Sequence, residues 1–295
     1  MKKTIVLTLF VLIAGCSLNT AHLKNDTQTT REQSDTSQNC AGSNSSKAKL
    51  RTVSIVPQFS ASRIHSDYWP LLSEIGRRSD ICFKLSQKES IPLFEEALQE
   101  GTIDYAFMNP YHQVMVSSIY EPIIRDKDRL LTGIIITNKQ NQITSVDQLN
   151  GKTILLPAPN AFAASLLTRA YLDQKNIAFK TKYVKTHQNV YRGVAREPDF
   201  IGGGVNNTFN RESSELRSNL TILFETQGYP AHPFSARREL PLEEIENVQS
   251  SWLEIAEQPE SSKLFDPIQI KKPMIANYTR DYDQLKGLGL ERFVQ

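Results

Sequence analysis

The stretch Gly151–Leu172, GKTILLPAPNAFAASLLTRAYL, decides how this chain is read. The apolar run Ile154-Leu155-Leu156 stops at a proline-rich turn, and a helical pattern then begins at Asn160. Leu166, Leu167, Ala170 and Tyr171 recur on one face of that pattern. A strand that feeds a helix through a tight turn presents backbone N–H groups without intrahelical partners, at the positive end of the helix dipole. Such a turn suits an anionic or carbonyl-bearing ligand. Many strand–helix turns hold nothing, so its meaning depends on the rest of the chain.

Outward from that stretch the same grammar repeats. Strands are expected at Thr52–Val56, Ile81–Leu85, Ile103–Met108, Ile123–Arg125 and Leu131–Thr137, with helices at Trp69–Arg77, Ile91–Glu100 and around Tyr111–Ile119. A second section follows: strand 153–156, helix 161–174, strand Lys180–Val184, a helix around Asn189–Ala195, and strand Phe200–Gly203. The chain returns through Thr221–Glu225, a helix at Leu242–Ala256 and a closing helix at Arg280–Gly287. Alternating β and α elements predict parallel-type sheets covered by helices, here in two α/β lobes. In open α/β sheets, ligands bind beyond the C-terminal ends of the strands. The turns that matter are therefore Pro57–Ser62, Asn109–His112, Pro157–Ala163, His187–Asn189 and Gly202–Asn207, which would face each other across a cleft.

The N-terminus reads as a targeting segment. Lys2 and Lys3 precede the apolar run Thr4–Leu12, which ends in Ile13-Ala14-Gly15-Cys16. This run is short for a bilayer span and has the layout of a cleaved secretory signal. Small residues directly before a cysteine resemble a bacterial lipobox, which implies a signal peptide over 1–15 and a lipid on Cys16 that holds the protein to a membrane. Ser17 stands where an Asp would retain a Gram-negative lipoprotein at the inner membrane, so in a Gram-negative cell it points to the outer membrane, facing the periplasm. Residues 16–49 are rich in Asn, Thr, Ser, Gln and charge, too polar to offset the entropy of ordering, and are expected to form a flexible tether. Without residues 1–15 the formal charge falls from +2 to 0, which gives no support for nucleic-acid binding. Cys40 and Cys82 remain after Cys16. They have one possible pairing, open to them in an oxidising compartment; the other possibility is a buried free Cys82 and an exposed Cys40.

Taken in order, the pieces resemble the phosphate/phosphite/phosphonate-binding (PhnD-like) solute-binding proteins of ABC importers, a family with the type II periplasmic-binding fold. The pieces are VPQFSAS at 56–62, YWPLL at 68–72, GTIDYAFMNPYHQV at 101–114 and SVDQLNGKTILLPAPNAFAASLL at 145–167. THQNVYRGVA at 186–195, GGGVNN at 202–207, YPAHPFSARRELP at 229–241 and RDYDQLKGL at 280–288 complete the series. The resemblance implies an inter-lobe ligand cleft and a hinge, with one lobe over 50–131 plus 228–295 and the other over 132–227. The crossings near Thr132-Gly133 and Thr226–Tyr229 are the expected hinges. The family's phosphonate binders carry a hydroxyl cluster at the helix start after the 153–156 strand. Ala161, Phe162 and Ala163 stand there instead, removing donors that a buried phosphoryl dianion would need.

Candidate ligand residues follow from the strand-end turns. Ser60 and Ser62 offer hydroxyls, or cap the following helix. Tyr111 and His112 follow Asn109-Pro110 where the resemblance implies aromatic and polar contacts; the bland alternative is a ring packed on its own lobe. Asn160, Ala161, Phe162 and Ala163 form the central turn, although a Phe at a helix start is more often core. His187 matches a family ligand contact, whereas a lone His is more often a structural hydrogen-bonder. His232 reads as a weaker, hinge-side residue. Asn206 follows the Gly202–Gly204 run, which has no nucleotide-binding spacing. No catalytic motif, metal-ligand spacing or cofactor signature is present in the sequence. The expectation is a monomeric, non-enzymatic binder of a small anionic or zwitterionic molecule, handing it to an ABC permease or presenting its closed form to a membrane histidine kinase or cyclase.

Overall fold

The computed structural model describes residues 40–268 and 270–295. The signal segment 1–15, Cys16, Ser17 and the tether as far as residue 39 lie outside the described residues.

The chain begins with a two-residue strand, β1 (Ala41–Gly42), then β2 (Lys49–Ile55), α1 (Ala61–Ser79), β3 (Ile81–Leu85), α2 (Ile91–Gln99), β4 (Tyr105–Phe107), α3 (Pro110–Met115) and β5 (Tyr120–Asp126). A first crossing, β6 (Leu130–Leu131), leads to β7 (Gly133–Asn138), β8 (Thr153–Leu156), a π-helical turn Phe162–Leu167 continued by α4 (Thr168–Gln174), and β9 (Lys180–Tyr183). Then come α5 (His187–Arg196), β10 (Ile201–Val205), α6 (Asn206–Asn210), α7 (Ser214–Ser218) and β11 (Leu220–Glu225). The return crossing is β12 (Tyr229–Pro230), followed by β13 (Phe234–Arg237), α8 (Leu242–Ala256), α9 (Ser262–Phe265), β14 (Pro273–Ile275) and α10 (Tyr278–Asp281).

Seven strands form one sheet in the order β1-β3-β2-β4-β13-β5-β14, and five form another in the order β11-β7-β10-β8-β9. Each sheet is covered by helices, so the fold is two-lobed α/β. The sheets are mixed rather than parallel throughout. β2 runs parallel to β3 and β4, and β8 parallel to β9 and β10. β13, entering after the return crossing, lies antiparallel between β4 and β5. A chain that crosses back enters the first sheet from the opposite end, so its strand must run against its neighbours.

The two crossings lie side by side: β6 pairs antiparallel with β12, Leu131 opposite Tyr229. Next to them, the Gly133 and Thr226 backbones are joined by Thr226 N–H donating to Gly133 O at 2.9 Å, and Gly133 N–H donates to Thr226 Oγ1 at 2.9 Å.

α1 starts eight residues before the expected Trp69, because Ser60 caps it by accepting from Arg63 N–H at 3.4 Å and Pro70 is accommodated inside. Pro70 has no N–H to offer the preceding turn, and the helix runs through it. The expected tether also ends early. β1 pairs with β3, Ala41 opposite Phe83, and a Cys40–Cys82 disulfide with Cα atoms 5.5 Å apart ties this edge strand down.

One hydrophobic cluster runs from Phe83, Tyr105, Phe107, Phe234 and Trp252 under the seven-stranded sheet, through Leu131 and Tyr229 at the crossings, to Phe162, Leu166 and Val205. The five-stranded sheet has a cluster on each face, and β7 alternates between them: Ile134 and Ile136 on one side, Ile135 on the other.

Candidate functional site

The PAPN turn between β8 and the π-helical segment is fixed from within its own helix. Ser165 Oγ donates to Ala158 O at 2.6 Å, and Arg169 Nη2 donates to Pro159 O at 2.6 Å. Ala161 O accepts from both Ser165 N–H (2.8 Å) and Leu166 N–H (3.2 Å), so the helix opens with a widened turn. Its N-cap, Ala161, supplies no side-chain hydrogen bond. The first N–H groups of the 162–174 helix therefore keep their donor capacity at a positive dipole end.

That end faces a cavity of about 10 Å³, room for about one water-sized sphere. Ala161, Phe162, Ala163, His187 and Val205 line it from the five-stranded lobe. Val56, Gln58, Ile91, Asn109, Leu131 and His232 line it from the other side. All five expected strand-end turns contribute: those after β2, β4, β8 and β9, and Val205 at the end of β10.

His187 is buried, and its Nδ1 has no hydrogen-bond partner. Burial lowers its pKa to about 4, so the ring is neutral at pH 7. His232 is equally buried and lies flat against Phe107, ring centroids 5.3 Å apart. Its Nε2 is 2.9 Å from Gln58 Nε2. With the amide donating, Nε2 accepts and the ring proton sits on Nδ1, which has no partner. Burial first, then the nearby His112, Arg129 and His187, holds the His232 pKa well below the ordinary value. The cavity is thus walled by neutral imidazoles, neutral amides and apolar side chains, and no Lys or Arg is among its lining residues. Phe162 meets Tyr229 edge-on at 5.7 Å, so its ring both borders the cavity and packs on the return crossing.

The other sequence candidates occupy different places. Asn160 is buried beside the cavity and crosslinks elements: Nδ2 donates to Glu95 Oε2 at 3.0 Å and to Gln295 O at 2.9 Å, while Oδ1 accepts from Gln295 N–H at 3.0 Å. His112 Nε2 lies 2.8 Å from the second oxygen of Glu95 and 2.9 Å from Asn109 Nδ2. Tyr111 is buried, its phenol pKa raised by burial and then by Glu291. Ser60 caps α1, with Ser62 Oγ 3.2 Å away, both on the exposed surface. Asn206 holds the end of β10 to the first crossing, its Nδ2 donating to Leu130 O (3.2 Å) and its Oδ1 accepting from Thr132 N–H (3.3 Å). Tyr111, His112, Asn160, Ser60, Ser62 and Asn206 are outside the cavity lining.

The sequence reading missed Gln58, Asn109 and Glu95. Gln58 and Asn109 fall inside the turns it had singled out. Glu95 had a signal too: it occupies the buried face of α2 with Ile91 and Leu98, where a carboxylate needs partners. Among the described residues, no group of three or more His, Cys, Asp and Glu side chains gathers at metal-binding distances, and no helix is long and apolar enough to cross a membrane.

This architecture, two α/β lobes joined by paired crossings over a central cavity, is that of the periplasmic binding proteins. PhnD1 from Prochlorococcus marinus, solved in complex with methylphosphonate, superposes with a TM-score of 0.74 at 15% identity, covering 83% of this chain and 98% of its own. A binding-protein component of a phosphonate ABC transporter from Pseudomonas aeruginosa gives 0.74 at 14% identity, covering 83% and 88%. A Xanthomonas citri protein bound to chloride ion gives 0.71 at 15%, covering 83% and 98%. No curated protein sequence matches the chain. Residues 53–282 match the family described as "ABC transporter, phosphonate, periplasmic substrate-binding protein", and the chain belongs to that family.

Proposed function

We propose that this solute-binding protein captures a small anionic or zwitterionic molecule at the cavity between its lobes, for delivery to an ABC permease. The lobes, 50–131 plus 228–295 and 132–227, hinge at Thr132-Gly133 and Thr226–Tyr229, and the lipid on Cys16 keeps the protein at the periplasmic face of a membrane. The observation that carries the ligand reading is His187. A buried imidazole with an unpartnered nitrogen lines the same cavity as the uncapped start of the 162–174 helix. An unmet polar atom in a buried position is costly, and a ligand oxygen or N–H would remove that cost. Phe162 and its two alanine neighbours leave backbone N–H groups, rather than hydroxyls, as donors. This favours a ligand with less concentrated charge than a phosphoryl dianion.

The test is a thermal-shift and titration screen of the full chain against phosphate, phosphite, phosphonates, sulfonates and amino acids. At least one compound should stabilise the protein, and His187→Ala should weaken its binding about tenfold or more, about 1.4 kcal/mol. Unchanged affinity in that variant would remove the site assignment.

A second reading rests on Ser17. An outer-membrane anchor separates the protein from an inner-membrane permease, and a sensor that presents its closed form to a membrane histidine kinase or cyclase is free of that constraint. A neighbouring gene for such a signalling protein, in place of permease and ATPase genes, would favour it.

A further inference from the structure

Arg211 stands in the turn between α6 and α7, on the lobe of the five-stranded sheet. Its side-chain hydrogen bonds reach to the other lobe. Nη2 donates to Asp67 Oδ2 at 2.5 Å and to Pro267 O at 2.8 Å, and the guanidinium carbon is 4.5 Å from the centroid of the Phe59 ring. Arg63 meets the same two groups, with its guanidinium carbon 4.2 Å from the Phe59 ring and Nε 3.7 Å from the same Asp67 oxygen. The Arg211 and Asp67 side chains are 19% and 15% exposed, so the pair is largely out of water. None of these residues lines the cavity.

We propose that Arg211 is a closure clamp, a positioning residue that sets the balance between open and closed lobes without touching the solute. The inference rests on the hinge reading above. When the lobes part, Arg211 is left in water, while Asp67 and Phe59 keep Arg63, which shares α1 with Asp67. Forming the Arg211 contacts is therefore a property of the closed arrangement alone, and an interaction made in only one of two states shifts their ratio by its full free energy. The residue type fits the task. Nη2 of a guanidinium donates to a carboxylate and a carbonyl while the planar group lies near an aromatic ring, and the flat stacking surface is what an ammonium group lacks. Asp67 makes it possible for two guanidinium groups to share one ring, since its oxygen offsets their mutual repulsion.

The experiment is small-angle X-ray scattering on the full chain, comparing wild type with Arg211→Ala, Arg211→Lys and Asp67→Asn. Ala163→Trp, which wedges a bulky ring between the lobes, serves as the reference for opening, and far-UV circular dichroism reports folding. Arg211→Ala should lower the closed-to-open ratio about tenfold and raise the radius of gyration toward that of Ala163→Trp. Arg211→Lys should fall between it and wild type. Expansion in Ala163→Trp with none in Arg211→Ala overturns the clamp and leaves the hinge standing. No expansion in any variant overturns the hinge reading and the clamp with it. If Arg211→Ala folds poorly, Asp67→Asn makes the same comparison, since it removes the carboxylate from the other lobe.

Discussion

Replacing both Cys40 and Cys82 with serine removes the covalent tie between the start of β1 and β3. The two positions are 42 residues apart in sequence, so the bond closes a loop that includes β2 and all of α1. Restricting a loop of that length in the unfolded chain is worth about 4 kcal/mol at 25 °C. The native side of the balance is weak without the bond. β1 has two residues on the sheet edge, held by its ladder to β3 and by Ser43 N–H donating to Ile81 O at 2.9 Å. It also packs tightly on α1: a Cβ on Gly42, whose φ is +125°, would sit 2.2 Å from Ile81 O and 2.8 Å from Gly76 Cα. Without the bond this short strand should fray, which limits the loss to the loop term and leaves the rest of the sheet in place. In urea, with a slope of about 2–3 kcal/mol/M, the midpoint should fall by about 1.5 M. Adding reductant to wild type should give the same shift and leave the double variant unaffected, which separates this bond from any effect on Cys16. A midpoint within about 0.2 M of wild type would refute the reasoning, because it would mean that the loop is already restricted in the unfolded chain.

Two further outcomes follow from the site. His187 is neutral when folded, with its pKa lowered by burial from 6.5 to about 4, and protonates at its ordinary value when unfolded. The His187 contribution should therefore be complete above about pH 6.5 and fall by about 3 kcal/mol on acidification to about pH 4, and His187→Gln should remove that share from the urea-midpoint profile, leaving the share of His232. Gly203→Ala places a Cβ 2.3 Å from Ala164 O and 2.4 Å from Leu156 Cδ2, so β10 must move away from the widened helical turn; a loss of about 1–3 kcal/mol in urea unfolding is expected.

What was legible in the sequence is what local periodicity encodes. Ile81–Leu85, 153–156 and Leu242–Ala256 coincide with their expected bounds, since each is an apolar run or an amphipathic stripe with clear ends. β13 was not foreseen. Phe234–Arg237 is four residues in a proline-rich segment, and its strand state comes from two neighbours, β4 and β5, that hold it on both sides. The candidate site divides in the same way. Phe162 and His187, singled out by their turns and His187 also by the family resemblance, line the cavity. Gln58 and Asn109 went unnamed although their turns did not, because a turn can be located from its flanking elements but its inward side chain cannot. Asn160 was chosen as a ligand residue from its place in the turn, and it lies against Glu95 and the 295 backbone, contacts that no local pattern announces.

By itself the sequence determined the alternation of strands and helices, and the family, because those depend on residues near one another or on an ordered series of segments. The stretch Gly151–Leu172 was enough to place a helix start at the end of a strand. Only the tertiary structure decided what that helix start faces. His232 and Gln58 meet across 174 residues, Arg211 and Asp67 across 144, and Cys40 reaches Cys82 only because β1 and β3 share an edge. The first two of these contacts depend on the two crossings lying side by side and on the direction in which the returning chain enters the first sheet. Both are set by the packing of the whole molecule, since strand pairing over such distances leaves no period in the sequence.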